Sequence, residues 1–108
     1  MLERSTLATF AEHLGTRFRV HLEGVSPLEV ELIQATQLRP PPRAGESGRG
    51  EAFSLVFRGP GDRLLQQKTF RVEHEKLGSF ELFLVPIGPD KEGLLYEAIF
   101  NYAVHPQA

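Results

Sequence analysis

Apolar residues recur at two different spacings along this chain, and the spacing changes at Gly15. Before that glycine, Leu7, Phe10, Ala11 and Leu14 fall at i, i+3, i+4 and i+7, one face of a 3.6-residue period, so a short helix is predicted over residues 6–14. Ser5 or Thr6 is placed to cap its start, and Gly15 to stop it in the left-handed conformation. Beyond Gly15 the period is two. Phe18, Val20 and Leu22 alternate with Arg17, Arg19, His21 and Glu23; after GVSP, Leu28, Val30 and Leu32 alternate with Glu29 and Glu31. This reads as a hairpin with one buried face. Keeping the apolar faces together predicts Leu22 opposite Leu28 and Val20 opposite Val30, with Arg19 facing Glu31 and His21 facing Glu29. The adjacent Leu32 and Ile33 break the alternation and predict a bulge.

Further strands are read at Phe53, Leu55 and Phe57, at residues 67–73, at 79–86 and at 94–103. They are joined by GPGD (59–62), a tight turn from His74 to Gly78, and GPDKEG (88–93). Parity puts Arg71 opposite Glu81 and Val72 opposite Phe80. It also puts Leu84, Leu82 and Phe80 opposite Tyr96, Ala98 and Phe100. Pro86 cannot donate to a ladder and is expected at a strand end or an edge. Residues 39–50, RPPPRAGESGRG, have no apolar period and read as a flexible loop; 104–108 read as a short tail. The sum is a mainly β fold: one short N-terminal helix, then about six mostly antiparallel strands in a meander, small barrel or strongly curved sheet.

The strand over 79–86 is apolar on both faces. Its second face carries Phe83 and Val85, beside Leu95 and Ile99 of the following strand. Burying a large apolar side chain contributes roughly 1.5–3 kcal/mol, so this patch calls for a cover. The helix, marginal on its own, is the expected cover, and another protein chain is its rival.

Composition narrows the classes. At 108 residues the chain is one domain, 1–108, and a hydrophobic content of 41% with eight Phe suffices for one core. The net charge of −2 argues against nucleic acid as a partner. With no cysteine, disulfides, thiolate metal sites and cysteine nucleophiles are excluded, and a reducing compartment fits. The N-terminal MLERSTLATF lacks the apolar run of a signal peptide, and no stretch approaches the ~20 apolar residues of a membrane span. A soluble, cytoplasmic protein with no membrane partner is expected.

Candidate chemistry is sparse. His74-Glu75 opens like the zinc motif HExxH, but position 78 is Gly, so His74 reads as a turn histidine. His13, His21 and His105 fall on a helix, a strand and a tail, with no shared metal site. Glu29 and Glu31 share a face, which the alternation turns to solvent. GESGRG and GPGDRL lack the lysine ending of a phosphate loop, and Ser54 in FSLVF lacks a nucleophile elbow. No catalytic residue, metal or cofactor is assigned. Arg39, Arg43 and Arg49 are candidate loop contacts for an anionic partner. Tyr96 and Tyr102, with His74 and Arg58 at the rim, are a candidate barrel pocket, although period-two aromatics more often fill a core. The amide of Asn101 is expected to satisfy backbone groups at a bend.

The run FSLVFRGP, HEKLGSFELFLVPIGP and YEAIFN, with LGTRFRV after the helix, resembles a family of small bacterial proteins known as a domain of unknown function. The resemblance covers nearly the whole chain and implies a bacterial source and a compact β-rich fold, with no activity, cofactor or catalytic residue attached. Where the family pattern has a QGxY-like element before the histidine, this chain has Gln67, Lys68, Thr69 and Phe70, which removes a tyrosine hydroxyl there. The positions picked out most strongly are Phe57, Gly59, Leu77, Gly78, Pro86 and Asn101, mainly turn and core types. Two readings follow. One is a non-catalytic binding or assembly module, a protein–protein interaction subunit (with itself or another protein) in a bacterial or phage-like assembly, with Phe83, Val85, Leu95 and Ile99 as the partner surface. The alternative is a small-ligand-binding β-barrel or undescribed enzyme with an aromatic-lined pocket.

Overall fold

A computed structural model of the chain describes residues 7–40 and 48–104, with side chains described at all of these except 48–50 and 102–104. Ser5, Thr6, Arg43 and the tail from His105 lie outside the described residues. The elements are α1 (Leu7–Ala11), β1 (Arg17–Leu22), β2 (Val25–Arg39), β3 (Gly48–Gly59), β4 (Lys68–His74), β5 (Gly78–Pro89) and β6 (Leu94–Val104). The strands form a closed antiparallel ring in the order β1–β2–β3–β6–β5–β4. Each half, β1–β3 and β4–β6, is a three-stranded meander. The crossover at 60–67 sets β4 beside β1 and β3 beside β6, so the two halves interlock as Greek keys. The ring is not a regular barrel. β1 and β4 pair only at Arg19 with Glu73 and Val20 with Val72, and β5 pairs with β6 only as far as Val85 with Glu97. No helix of the described residues is long and apolar enough to cross a membrane.

Residue faces follow the alternation, but two registers differ from expectation by two residues. In the first hairpin Leu22 pairs with Val25 around Glu23 and Gly24, which has a φ of 74°. The chain therefore turns before GVSP is complete. β2 then carries one extra residue in the stretch with Ser26 and Pro27, where proline has no N–H for the ladder. Val20 thus faces Leu28, Phe18 faces Val30, Arg19 faces Glu29 and Arg17 faces Glu31. Between β5 and β6, Pro86 rather than Leu84 faces Tyr96. Here β5 runs on to Pro89, so the loop is 90–93 rather than 88–93. Pro86 is therefore inside a strand, at the edge that β4 leaves open, which is one of the two places expected for it. It sits just past the last β4 pair, Lys68 with Leu84, and before a bulge at Gly88. The other expectations hold: Arg71 faces Glu81, Val72 faces Phe80, and the β2 ladder slips between Leu32 and Gln34. Of the expected loop at 39–50, Arg39 ends β2 and Gly48 begins β3, and 41–47 lie outside the described residues.

The inward rows fill the ring. Phe18, Val20, Val30, Leu32, Phe53, Leu55, Phe57, Val72, Leu84 and Tyr96 are almost completely buried. Midway along it, Val20, Val30, Phe57, Val72, Leu82 and Leu84 leave no room for a water molecule. One end is closed by α1. Its Phe10 is fully buried, 5.2 Å from Phe100 and 6.0 Å from both Phe53 and Phe80 between ring centroids. All three are inward residues, so the helix plugs the wedge where β5 and β6 diverge. The sequence predicts this helix over the outer face of β5 and β6; instead that face keeps Phe83 and Ile99 exposed, and the helix packs inward. α1 is also shorter than 6–14. After Ala11 the chain tightens into i→i−3 bonds, His13 to Phe10 and Leu14 to Ala11. Gly15, at φ 84°, then docks its N–H on the Leu32 carbonyl at 2.8 Å. Leu14 is turned outward, 45% exposed. Buried Glu51 accepts the Leu7 N–H at 3.3 Å, giving the first turn a partner from β3.

Candidate functional site

Because residues alternate on a strand, β5 and β6 each present one row to the ring and one to the outside. Leu82, Leu84, Tyr96 and Ala98 point in; Phe83, Val85, Leu95 and Ile99 therefore share the outer face. Phe83 is 50% and Ile99 55% exposed, while Val85 and Leu95 are half-buried. Val85 lies opposite Glu97, so one carboxylate sits within this apolar patch. Ile87, at the β5 bulge, is a further exposed apolar residue near it.

At the end of the patch stands an ion pair. Arg58 of β3, opposite Leu95, donates Nη2 to Asp90 Oδ2 at 2.6 Å and Nε to the same oxygen at 3.0 Å; Glu92 lies 3.5 Å from Nη1. Asp90 Oδ1 also accepts the N–H groups of Glu92 and Gly93, at 2.8 and 3.0 Å. The hydrogen bond from Arg58 holds the Asp90 carboxyl below its ordinary pKa, and Asp90 raises that of Arg58. Arg58 thus pins the β5–β6 turn on the outside and lines no interior pocket.

Tyr96 also belongs to the core. It is fully buried, its hydroxyl accepts the Leu65 N–H at 3.0 Å, and it donates to the Arg63 carbonyl at 3.2 Å. Tyr102 lies in β6 and Arg49 in β3, and their side chains are outside the described ones. Of the residues read as a possible pocket, Tyr96 fills the core and Arg58 lies on the outside. Arg39 donates to Asn101 Oδ1 at 2.6 Å. Ala52 lies between them in the sheet, and its small side chain lets the two meet over it. Among the described residues the Asn101 oxygen thus serves a side chain, where a backbone group was expected.

An open cleft of about 500 Å³ lies beside the end of α1. Acidic Glu12, Glu29 and Glu75 line it with basic Arg17, Arg19 and Lys76, so it has no net sign with which to select an ion. His74, buried at its floor, is the residue that sequence reasoning placed worst. It ends β4 facing inward, its ring 4.4 Å from that of Phe18 and 4.7 Å from that of His13. Its Nδ1 accepts the N–H groups of Lys76 and Leu77 at 3.0 and 3.2 Å. The proton must then reside on Nε2, 3.0 Å from Thr16 Oγ1, whose own hydrogen goes to the His13 carbonyl at 2.6 Å. Thr16 and His74 resemble a nucleophile and base, but the tautomer is wrong. Nε2 donates to the hydroxyl and has no lone pair to accept its proton. Burial first, and neighbouring His13 second, lower the His74 pKa and favour this neutral form. Among the described residues no group of three or more His, Asp or Glu is arranged to hold a metal ion.

The available signal was the alternation of β4, which places His74 in the same inward row as Phe70 and Val72. No curated protein and no solved structure matches the chain. A family match does cover residues 5–100: the chain belongs to the family described as Domain of unknown function (DUF6916).

Proposed function

We propose that this domain is a non-catalytic protein-interaction module, a subunit of a bacterial or phage-like assembly, presenting the outer face of β5 and β6 to its partner. One observation carries the reading: the interior is full while Phe83 and Ile99 remain half in water on adjacent strands. A domain whose core is complete without these side chains gains nothing in its own stability from exposing them. The Arg58–Asp90 pair sets charge at one end of the patch, and Glu97 sets one carboxylate within it, so the partner surface carries both apolar and charged groups.

Light scattering on a size-exclusion column, over a wide concentration range, tests the reading alongside purification from the native host. The expected result is a mass above the monomer or a stoichiometric partner, lost in Phe83→Glu with the unfolding transition unchanged. A monomer at every concentration that also purifies alone would overturn it.

A further inference from the structure

The outer face of β5 and β6 holds a carboxylate at its centre. Glu97 lies directly opposite Val85 of β5 on one side and Val56 of β3 on the other. Leu95 and Ile99 precede and follow it in the same outward row. The carboxylate is thus framed on four sides by apolar side chains, with the exposed Phe83 on the diagonal. Glu97 is itself half-buried. Among the described residues, no hydrogen bond or ion pair involves this carboxylate.

The cations of the surrounding strands face other groups. β5 has none. On β3, Arg58 is diagonal to Glu97 through Val56, but its guanidinium is bound to Asp90 at 2.6 Å and lies 3.5 Å from Glu92. Arg49 is at the far end of β3, opposite Ala103. On β4, beyond β5, Arg71 stands opposite Glu81, and Lys68 Nζ sits 5.4 Å from the centre of the Phe70 ring. A partner that covered Phe83 and Ile99 with apolar groups alone would bury Glu97 as an unpaired charge, which is strongly unfavourable. A second copy docked face to face about this centre, on a two-fold axis, would set Glu97 against Glu97.

We propose that the occupant of this face is a different protein, whose docking surface carries one arginine framed by apolar side chains. The guanidinium pairs with Glu97, and its apolar neighbours cover Phe83 and Ile99. Arginine fits better than lysine for physical reasons. Its planar fork meets a carboxylate through two parallel N–H bonds, and it is more weakly hydrated than an ammonium, so it gives up less on entering an apolar frame. The exposed Phe83 ring offers its face to the same cation. Glu97 then selects the partner: it repels an acidic or self-complementary surface and accepts a basic one.

This inference rests on the interaction reading and narrows its partner, so the test separates the two. The probes are two synthetic amphipathic helical peptides, alike except that the centre of a leucine face holds arginine in one and glutamate in the other. Fluorescence anisotropy measures their binding to the full chain. The arginine peptide is expected to bind about tenfold or more tighter than the glutamate peptide. That preference should vanish in Glu97→Gln and invert in Glu97→Arg, while Phe83→Glu weakens the arginine peptide as well. Equal affinities on the unaltered chain, or a preference that survives Glu97→Gln, overturn the pairing; if Phe83→Glu still abolishes binding, the interaction reading stands without it. Failure of both peptides to bind at about 1 mM also overturns it, and the interaction reading then rests on the solution mass. A homodimer that Glu97→Gln tightens would place a second copy on this face, against the proposal.

Discussion

His74 shows how one side chain can be both legible and misread. The sequence places it at a turn, and its ring does bond two turn N–H groups. What the turn reading overlooks is that the alternation Phe70, Val72, His74 carries this strand end inward, so the ring is buried at 4% exposure against Phe18 and His13. The consequence is a pH dependence. The folded pKa lies below the ordinary value of about 6.5, so the unfolded chain binds more protons as pH falls below 6.5. Stability is therefore constant above that point and falls with acid, by at most about 1.4 kcal/mol per pH unit for this group, until the folded pKa is passed. Burial sets this direction first; His13, Arg19 and Lys76 add to it by opposing a positive charge on the ring, and Glu75 favours one. Urea unfolding at pH 7.5 and pH 5 should show lower stability at pH 5. His74→Gln should reduce that difference, and an unchanged pH profile in the variant would remove His74 as its source.

At the scale of elements, periodicity identified each strand and its inward row but not the pairing lengths. Both register differences are of two residues, and an even slip returns the same side chains to the same face. Faces were therefore legible while partners were not, because partners depend on where each turn begins. The helix is the deeper lesson. Its apolar face needed a dock, and two docks existed: the outer face of β5 and β6, and the open end of the ring. The second takes Phe10 among Phe53, Phe80 and Phe100, removing a whole aromatic ring from water in one contact. The first would have used Leu14, which Gly15 instead turns outward to meet Leu32. Phe10→Ala should cost about 3–5 kcal/mol, as for a large core aromatic, despite lying in a helix of little more than one turn. Chemical denaturation measures it. A loss below about 1 kcal/mol would mean that α1 is an accessory to the ring and not its plug.

The whole molecule is a ring stopped at two ends by different devices. α1 closes one end with apolar contact. The crossover at 60–67 closes the other, with Leu65 buried and held by the Tyr96 hydroxyl. That hydroxyl links β6 to the connection that passes between the two meanders, so a single atom joins two parts of the chain distant in sequence. None of this was readable beforehand, since the sequence shows Tyr96 as an aromatic in an inward row and cannot show what lies beyond the end of its strand. Tyr96→Phe keeps the ring's volume and removes the acceptor, leaving the buried Leu65 N–H without its partner at a cost of about 1–3 kcal/mol. The loss should be local. Amide exchange should quicken over 60–67 while the amides of Gly15 and Leu32, bonded at the α1 end, keep their protection. Equal loosening at both ends would show that the ring responds as one cooperative unit, and that the two stoppers are not independent.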